Sequence, residues 1–462
     1  MKIEFYGSGF FPRVFLLFFL IFRLSPVIWS QGNNTQTLLT EVAARLARKE
    51  YASALELFDT LPADQKEKVE IRIMQASIFN AAGRTADAKK IANSIISADS
   101  KNTEALMILA DAATVEGKES ERRTFLDKVI ALEPNNVRAL NDLANISLKN
   151  QNLRVAANYF DKVLAVEPNN GEALVGRATV YRYTREQRNA ERLLNKAASL
   201  HPDWARPLHE RARLYKSAGL YDDALDDLNA ALLLEPNNYW ALVDSAQLLM
   251  EMNRLQEALK YINRAIAVEP DVFMAYVYSA AIKDETGDYS GAEKDYLFLT
   301  KLKPDYYFGS EALGVIRMRN KQWAAARDAF LDAYKQAPKE YTYALLAAVN
   351  WMRAGKQTDP KQFLAQVLRT VPKDTPEYLL LKLYYDLSGD SNVVTSLENE
   401  KNIFIKSRML YYLASYYDVR GNKSLADRYY LSVQDQNASG SVEWRLNEMA
   451  LAERGLGKKA EK

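Results

Sequence analysis

Acidic residues are plentiful in this 462-residue chain, but cysteine and histidine, the residues of thiol chemistry and of much metal and acid–base chemistry, are nearly absent. It has no cysteine and only two histidines, His201 and His209, which excludes thiol nucleophiles, thiolate metal sites and disulfides. His201 precedes Pro202 and is expected in an exposed turn. The motifs H-E-x-x-H, G-x-S-x-G and G-x-x-x-x-G-K-[ST] do not occur. The one catalytic arrangement that stays open is a pair of carboxylates that meet across the fold, as in glycosidases. We predict a non-enzymatic protein without cofactor or metal.

Proline and a small residue both recur every 34 residues. Proline stands at 134, 168, 202, 236, 270, 304, 338 and 372, and alanine or glycine at 76, 110, 144, 178, 212, 246, 280, 314 and 348. A period held over so many copies indicates one supersecondary unit repeated along the chain.

Residues 137–170 show what that unit contains. Two apolar faces at helical spacing are separated by the polar residues 149–152, and Pro168 ends the second face because proline cannot continue a helix. The faces consist of Leu140, Leu143, Ala144 and Ser147, then Ala156, Phe160 and Val163. The unit is therefore predicted to be a helical hairpin.

This pattern resembles the tetratricopeptide repeat, with its consensus W-x2-L-G-x2-Y…A-x3-F…P. The fullest instance is Leu313-Gly314 with Ala326-x3-Phe330 and Pro338. The resemblance covers residues 37–435. It implies an all-α, right-handed superhelical solenoid of about ten to eleven helical hairpins, with a protein or peptide partner in its concave groove.

The segments outside the repeats predict further features. Lys2 and Arg13 precede the apolar run 14–22, and Ser30 precedes polar residues, which is the layout of a secretory signal peptide. We expect residues 1–30 to be a signal peptide, or else a retained membrane anchor, and 31–36 to be a polar linker. The solenoid is irregular at 386–402, residues 441–454 predict a capping helix, and 455–462 a disordered tail.

The charge balance and the lack of cysteine bear on partners and compartment. Without residues 1–30 the chain has 58 basic and 58 acidic residues, since Lys2, Arg13, Arg23 and Glu4 leave the totals of 61 and 59. A surface for nucleic acid would be clearly basic, so we expect no nucleic-acid partner. Eukaryotic secreted proteins of this size usually carry disulfides, so a periplasmic or otherwise extracytoplasmic protein of a bacterial envelope fits better, with N-terminal membrane anchoring as the alternative.

The resemblance also implies which residues touch a partner. Family ligands usually contact positions 2, 5, 9, 12 and 13 of a repeat, counted from 31 residues before its proline. The central repeats place a basic stripe there, formed by Arg182, Tyr183, Arg206, His209, Arg213, Lys216, Trp240 and Tyr278. Either this stripe binds an acidic or extended peptide, or it is ordinary solvated surface. No lysine stands at position 5, so a carboxylate clamp of the chaperone type is not expected.

The C-terminal repeats place apolar residues at the same positions. This second candidate surface consists of Leu345, Val349, Leu379, Leu383 and Tyr411. Either the superhelix tightens and buries these side chains itself, or a partner helix or a second subunit covers them. Homo-oligomerisation through this surface therefore stays open. Membrane association through the N-terminus also stays open, because of residues 1–30.

The function that these observations favour is an exported, non-enzymatic scaffold that holds an envelope protein or peptide during assembly of a larger complex. The first alternative is handling of a cell-wall polysaccharide, with Tyr183, Trp240 and Tyr278 stacking on sugars. The second is a membrane-tethered adaptor, if the N-terminal segment is retained.

Overall fold

The computed structural model describes residues 33–355 and 360–457, which form α-helices joined by short turns and one 3₁₀ helix. The predicted signal peptide and most of the predicted tail lie outside the described residues. The first helix, α1 (Asn33–Ala47), begins inside the segment expected to be a polar linker, so that prediction is wrong from Asn33 onward. Leu38, Leu39 and Val42 give α1 an apolar face that packs in one cluster with Phe58, and the polar residues before them continue the same helix.

The chain divides into two compact units, Met1–Ala241 and Leu242–Lys462. In the first unit α1 is followed by α2 (Tyr51–Glu56), α3 (Ala63–Lys66), α4 (Val69–Ala81), α5 (Thr85–Ala98), α6 (Thr103–Val115), α7 (Glu119–Leu132), α8 (Val137–Lys149), α9 (Leu153–Val166), α10 (Gly171–Tyr183), α11 (Gln187–Leu200), α12 (Ala205–Ser217) and α13 (Tyr221–Leu234). From α4 onward, consecutive helices pack side by side as the predicted hairpins.

The boundary between the units falls inside helix α14 (Tyr239–Glu251). The second unit continues with α15 (Leu255–Val268), α16 (Phe273–Glu285), α17 (Tyr289–Leu302), α18 (Tyr307–Arg319), α19 (Trp323–Gln336), α20 (Tyr341–Arg353), α21 (Pro360–Val367), α22 (Pro376–Asp386), α23 (Asp390–Asn399), α24 (Ile403–Val419), α25 (Lys423–Asp435) and α26 (Val442–Glu453). Among the described residues, no helix combines the length and the apolar character needed to cross a membrane.

The turns between hairpins are closed by side chains that the proline period does not reveal. Asn136 and Asn170 are N-caps, and the side-chain oxygen of each accepts a hydrogen bond of 3.0 Å from the backbone N–H three residues later. Each amide group also donates to the glutamate before the proline, Glu133 or Glu167, at 2.7 and 2.8 Å. Capping satisfies N–H groups that a helix start leaves unpaired, so the Glu-Pro-Asn-Asn sequence fixes where each following hairpin begins.

The small residues of the period lie where helices approach closely, as predicted. Ala144 and Ala246 are fully buried. At Gly314 a Cβ atom would stand 2.5 Å from the ring of Phe330, closer than two carbon atoms can approach. Gly176, two positions before Ala178 of the period, would likewise bring a Cβ atom within 2.2 Å of the ring of Phe160 in the preceding hairpin. The hairpins therefore pack with almost no space to spare at these positions.

The predicted irregular segment, residues 386–402, contains the short helix α23. Leu387 and Gly389 both have positive φ, 54° and 89°, and they turn the chain sharply between α22 and α23. The period is lost here because the second helix of the hairpin is shortened, while the hairpin arrangement itself is kept.

A candidate binding surface around Glu210

Six residues of the predicted basic stripe lie on two neighbouring helices of the first unit. Arg182 and Tyr183 end α10, and the others project from α12. The four on α12 are Arg206, His209, Arg213 and Lys216. Their spacing of three, four and three residues places them along one side of the helix. Because α10 and α12 are the first helices of consecutive hairpins and contact each other, the six residues belong to one region.

A glutamate that the stripe did not include lies at the centre of this region. Glu210 forms an ion pair with Arg213, Nη1 to Oε1, at 3.0 Å, and a longer one with Arg182, Nη2 to Oε2, at 3.6 Å. Thr179 Oγ1 donates to the same carboxylate at 3.4 Å. Only 13% of the Glu210 side chain is exposed. Glu210 therefore joins the two helices.

The charges around Glu210 decide its protonation. Burial by itself would raise the pKa of this carboxyl, but Arg213, Arg182, His209 and Arg206 together lower it to about 2. A nearby positive charge favours the ionised carboxylate. We call Glu210 with these four residues the Glu210 cluster. Its carboxylate is ionised at neutral pH, and its three arginines exceed that single negative charge.

Of the two alternatives for the stripe, ordinary solvated surface does not describe two of its arginines. Arg182 and Arg213 are paired with Glu210, and their side chains are only 17% and 27% exposed. The guanidinium of Arg182 also lies 4.4 Å from the ring centre of Tyr183, a cation–π contact. The burial and pairing of these arginines are caused by Glu210, which lies one position outside the repeat positions that family ligands usually touch.

The other residues of the stripe lie partly within the Glu210 cluster and partly outside it. His209 is buried, and the guanidinium of Arg206 lies 5.9 Å from the ring centre of Trp204. The ring of Trp240 meets that of Tyr239 edge-on at 4.8 Å. Tyr278 belongs to the second unit and accepts a hydrogen bond from Gln247. The stripe is thus a cluster on α10 and α12 with two aromatic residues elsewhere.

His201 does not stand free in its turn, contrary to the prediction. It is half-buried, and a Cβ atom at Gly171 would come within 2.9 Å of its ring. The ring of Trp204 meets it edge-on at 5.9 Å. The glycine at 171 leaves room for the imidazole, so His201 fills space between the start of α10 and the turn that follows α11.

The second candidate surface lies in the core of the second unit. Leu345, Val349, Leu383 and Tyr411 are all at most 1% exposed, and Leu379 is half-buried. Helix α24 packs against α20, and the hydroxyl of Tyr412 donates to the carbonyl of Thr342 at 3.2 Å. Of the two alternatives for these residues, the structure favours burial by the chain itself, and as an open surface the prediction is wrong.

Metal chemistry has no evident place among the described residues. Over 33–355 and 360–457, no group of three or more histidine, aspartate or glutamate side chains is arranged to hold a metal ion. The acidic side chains described above pair with arginine, lysine or hydroxyl groups instead, as Asp227 does with Arg211 at 2.6 Å.

Comparison with known proteins agrees with the helical hairpins. Tetratricopeptide-repeat family models match residues 141–205, 215–281 and 282–341. No curated protein sequence matches the chain.

Similar solved structures include a tetratricopeptide repeat protein from Parabacteroides merdae ATCC 43184, with 19% identity and a TM-score of 0.43 over 53% of this chain and 97% of that one. YrrB, described as a TPR protein with an unusual peptide-binding site, has 19% identity and a TM-score of 0.36 over 42% and 97%. PilW, a type IV pilus biogenesis factor, has 17% identity and a TM-score of 0.40 over 44% and 94%.

The family matches fall on the hairpins that carry the 34-residue period. Repeats of this kind form surfaces for other proteins and are generally not catalytic. The chain carries tetratricopeptide repeats over residues 141–205 and 215–341, and these repeats make it a protein–protein interaction scaffold.

Proposed function

We propose that this protein is an exported, non-enzymatic scaffold that binds an acidic, extended segment of an envelope protein through the Glu210 cluster. Such binding would serve the assembly of a larger envelope complex. The observation that carries the proposal is the gathering of three arginines around one buried carboxylate on α10 and α12. The apolar run 14–22 and the lack of cysteine support export to a bacterial envelope.

Glu210 prepares the cluster for an anionic partner. By pairing with Arg182 and Arg213 it holds two long side chains in place before a ligand arrives. Immobilising such a side chain costs about 0.5–1.5 kcal/mol when binding itself must do so. The arginines of the cluster then attract carboxylates and speed their approach. An acidic segment therefore gains both from the charge and from the preorganisation.

The polysaccharide alternative requires sugars to stack on aromatic ring faces, and other side chains already cover part of these faces. Arg182 already lies over the ring of Tyr183, and the ring of Tyr239 meets that of Trp240. A sugar stacking on Tyr183 would have to displace the guanidinium or use the other face. Comparing capture on immobilised envelope polysaccharide with capture on acidic peptide separates the two functions.

The test uses a fluorescent peptide rich in glutamate and a variant that removes the cluster without leaving a buried charge alone. Arg182→Gln, Glu210→Gln and Arg213→Gln are combined, because replacing both partners of a pair costs far less stability than removing one. We expect binding measured by anisotropy to weaken about tenfold or more in this variant. Binding to the wild type should also weaken with added salt, since exposed charges are screened.

The matched control removes an exposed ion pair of the same unit. Arg84 and Asp87 pair at 2.8 Å with side chains 57% and 44% exposed, and Arg84→Gln with Asp87→Asn should leave peptide binding unchanged. If the cluster variant binds the acidic peptide as the wild type does, the cluster is not the binding site and the proposal fails.

A further inference from the structure

The last helix of the chain, α26, presents polar side chains to the second unit. Glu443 is 1% exposed and Asn447 is fully buried, although both lie on the side of α26 that also buries Leu446 and Leu451. Helix α26 packs against α18, α24 and α25. A helix that serves only to cover a core buries apolar residues, so the polar face of α26 needs another explanation.

Glu443 is held by side chains from two first helices of hairpins. Its Oε1 accepts hydrogen bonds from Thr342 Oγ1 at 3.1 Å and from the hydroxyl of Tyr412 at 3.4 Å. Arg408 Nε lies 3.3 Å from the same oxygen. Helices α20 and α24 thus form a polar receptor for one carboxylate of α26.

Two residues further along α26, Arg445 reaches a different helix. One guanidinium nitrogen lies 2.6 Å from each carboxylate oxygen of Asp284, at the end of α16. The side chain of Asp284 is only 8% exposed, whereas that of Arg445 is 38% exposed. Asp284 is therefore a buried carboxylate, and Arg445 of α26 supplies its positive partner from the solvent side.

The fit of α26 is incomplete at Asn447. Neither its Oδ1 nor its Nδ2 has a hydrogen-bond partner within the described part of the chain, and an unpaired buried amide opposes docking. The connection 436–441 contains Asn437 and Gly440, whose φ angles are 49° and 98°. Such positive angles allow sharp turns. Helix α26 is thus tethered by a strongly turned segment and held by ionic contacts around an unsatisfied amide.

We propose that α26 is the resident ligand of a helix-binding site on the second unit, and that an amphipathic partner helix displaces it. The site comprises Asp284, Thr342, Arg408 and Tyr412 together with the apolar surface beneath Leu446 and Leu451. The partner it fits carries a glutamate and an arginine two residues apart, which reach different helices of the site as Glu443 and Arg445 do, in the manner of a helix docking in a groove. This site is separate from the Glu210 cluster and does not rest on the proposed function.

The test uses the full chain and a labelled peptide with the sequence of residues 439–457. In the wild type the peptide can bind only those molecules in which the resident helix has left the site. Its apparent affinity is therefore its intrinsic affinity multiplied by the fraction of molecules in which the site is open. Arg445→Glu in the protein places a second carboxylate beside Asp284 and should loosen α26. We expect the wild-type peptide to bind this variant about tenfold or more tightly than it binds the wild type.

Charge exchange shows whether the peptide enters the proposed site. A peptide with Arg445→Glu should lose binding to the Arg445→Glu protein. Adding Asp284→Arg to that protein lets the resident helix pair again, so this peptide should then bind about as well as the wild-type peptide binds the wild-type protein. Arg369, an exposed arginine of the same unit, gives the control: Arg369→Glu should leave peptide binding at the wild-type level. Absence of peptide binding to the Arg445→Glu protein, or equal binding of both peptides to it, would overturn the proposal.

Hydrogen exchange of the unaltered protein supplies a second measurement if the variants fold poorly. A resident ligand opens locally, so amides of α26 should exchange about tenfold or more faster than those of α20 and α24. Equal protection in all three helices would show that α26 leaves only when the second unit unfolds, and the proposal would fail.

Discussion

At the scale of single residues, Glu210 controls the charge of the candidate binding surface. It links α10 with α12 through Arg182 and Arg213, and the cations around it lower its pKa to about 2. Its protonation should therefore be visible in the pH dependence of stability. The ordinary value for a glutamate is 4.5, so the folded state binds a proton less readily than the unfolded state does.

The variant Glu210→Gln tests this charge. The ionised carboxylate stabilises the fold fully above about pH 5, and the contribution is lost as the pH falls toward about 2. We expect Glu210→Gln to lower the free energy of unfolding by about 1–3 kcal/mol at neutral pH, and the difference from the wild type to shrink in acid. Urea denaturation of both proteins across this pH range measures it.

An exposed glutamate provides the comparison. Glu56→Gln should change the free energy of unfolding by less than about 0.5 kcal/mol at every pH, because Glu56 is exposed. A difference for Glu210→Gln that stays constant from neutral to acid pH would contradict the low pKa.

The sequence predicted the cations of the cluster but not the carboxylate that organises them. Arg182, Arg206 and Arg213 follow from repeat positions, since these positions are fixed by the 34-residue period. Glu210 lies outside them, and its pairing depends on how α10 and α12 orient long side chains toward each other. The contact of His201 with Gly171 joins the two ends of one repeat, and the positions of the apolar residues do not predict it either.

At the scale of the helices, the hairpin contact at Gly314 explains why a small residue recurs. The ring of Phe330 occupies the space that a side chain at 314 would need. Phe330 is itself fully buried, so it has little room to move aside. The same position carries alanine in most other repeats.

Gly314→Leu should therefore overpack the hairpin formed by α18 and α19. We expect a loss of about 1–3 kcal/mol in the free energy of unfolding, measured by urea denaturation. Phe330→Leu removes the ring, so Gly314→Leu should cost clearly less in a Phe330→Leu background. Equal costs in both backgrounds would show that the ring does not limit residue 314.

The helices were predictable where the apolar period is regular. Eight prolines at constant spacing fix the hairpins from residue 103 to residue 372 with little ambiguity. The period weakens at both ends, and there the prediction of a linker failed, because α1 begins at Asn33. The turn at Leu387 and Gly389 depends on positive φ, which the leucine does not signal.

At the scale of the whole molecule, export is the prediction that the described residues leave open. If residues 1–30 are a signal peptide, the native protein should lack about its first 30 residues. Intact-mass measurement of protein purified from its own cells decides this. Recovery of the full-length chain from the cytosol would contradict export, and recovery from the membrane fraction would favour the tethered adaptor.

The repeat pattern offered burial by the chain itself as one of two alternatives for the second candidate surface and predicted a capping helix at 441–454, but it did not predict which residues meet. The period describes contacts between neighbouring hairpins, whereas Thr342 meets Glu443 across 101 residues of sequence. Contacts between residues so far apart in sequence depend on the path of the chain through the whole second unit. The apolar residues at 345, 349 and 383 signalled that something covers them, but not which segment does.

The ion pair between Arg445 and Asp284 also sets an order of events during synthesis. The two residues are 161 positions apart, and ribosomes add about 5–20 residues per second. Asp284 therefore emerges roughly 10–30 s before its partner exists. The receptor itself is complete only when Tyr412 has been added, 33 residues before Arg445, so the whole site stands vacant for roughly 2–7 s. A chaperone or an assembly partner that acts on the nascent chain in this shorter interval would meet the site open.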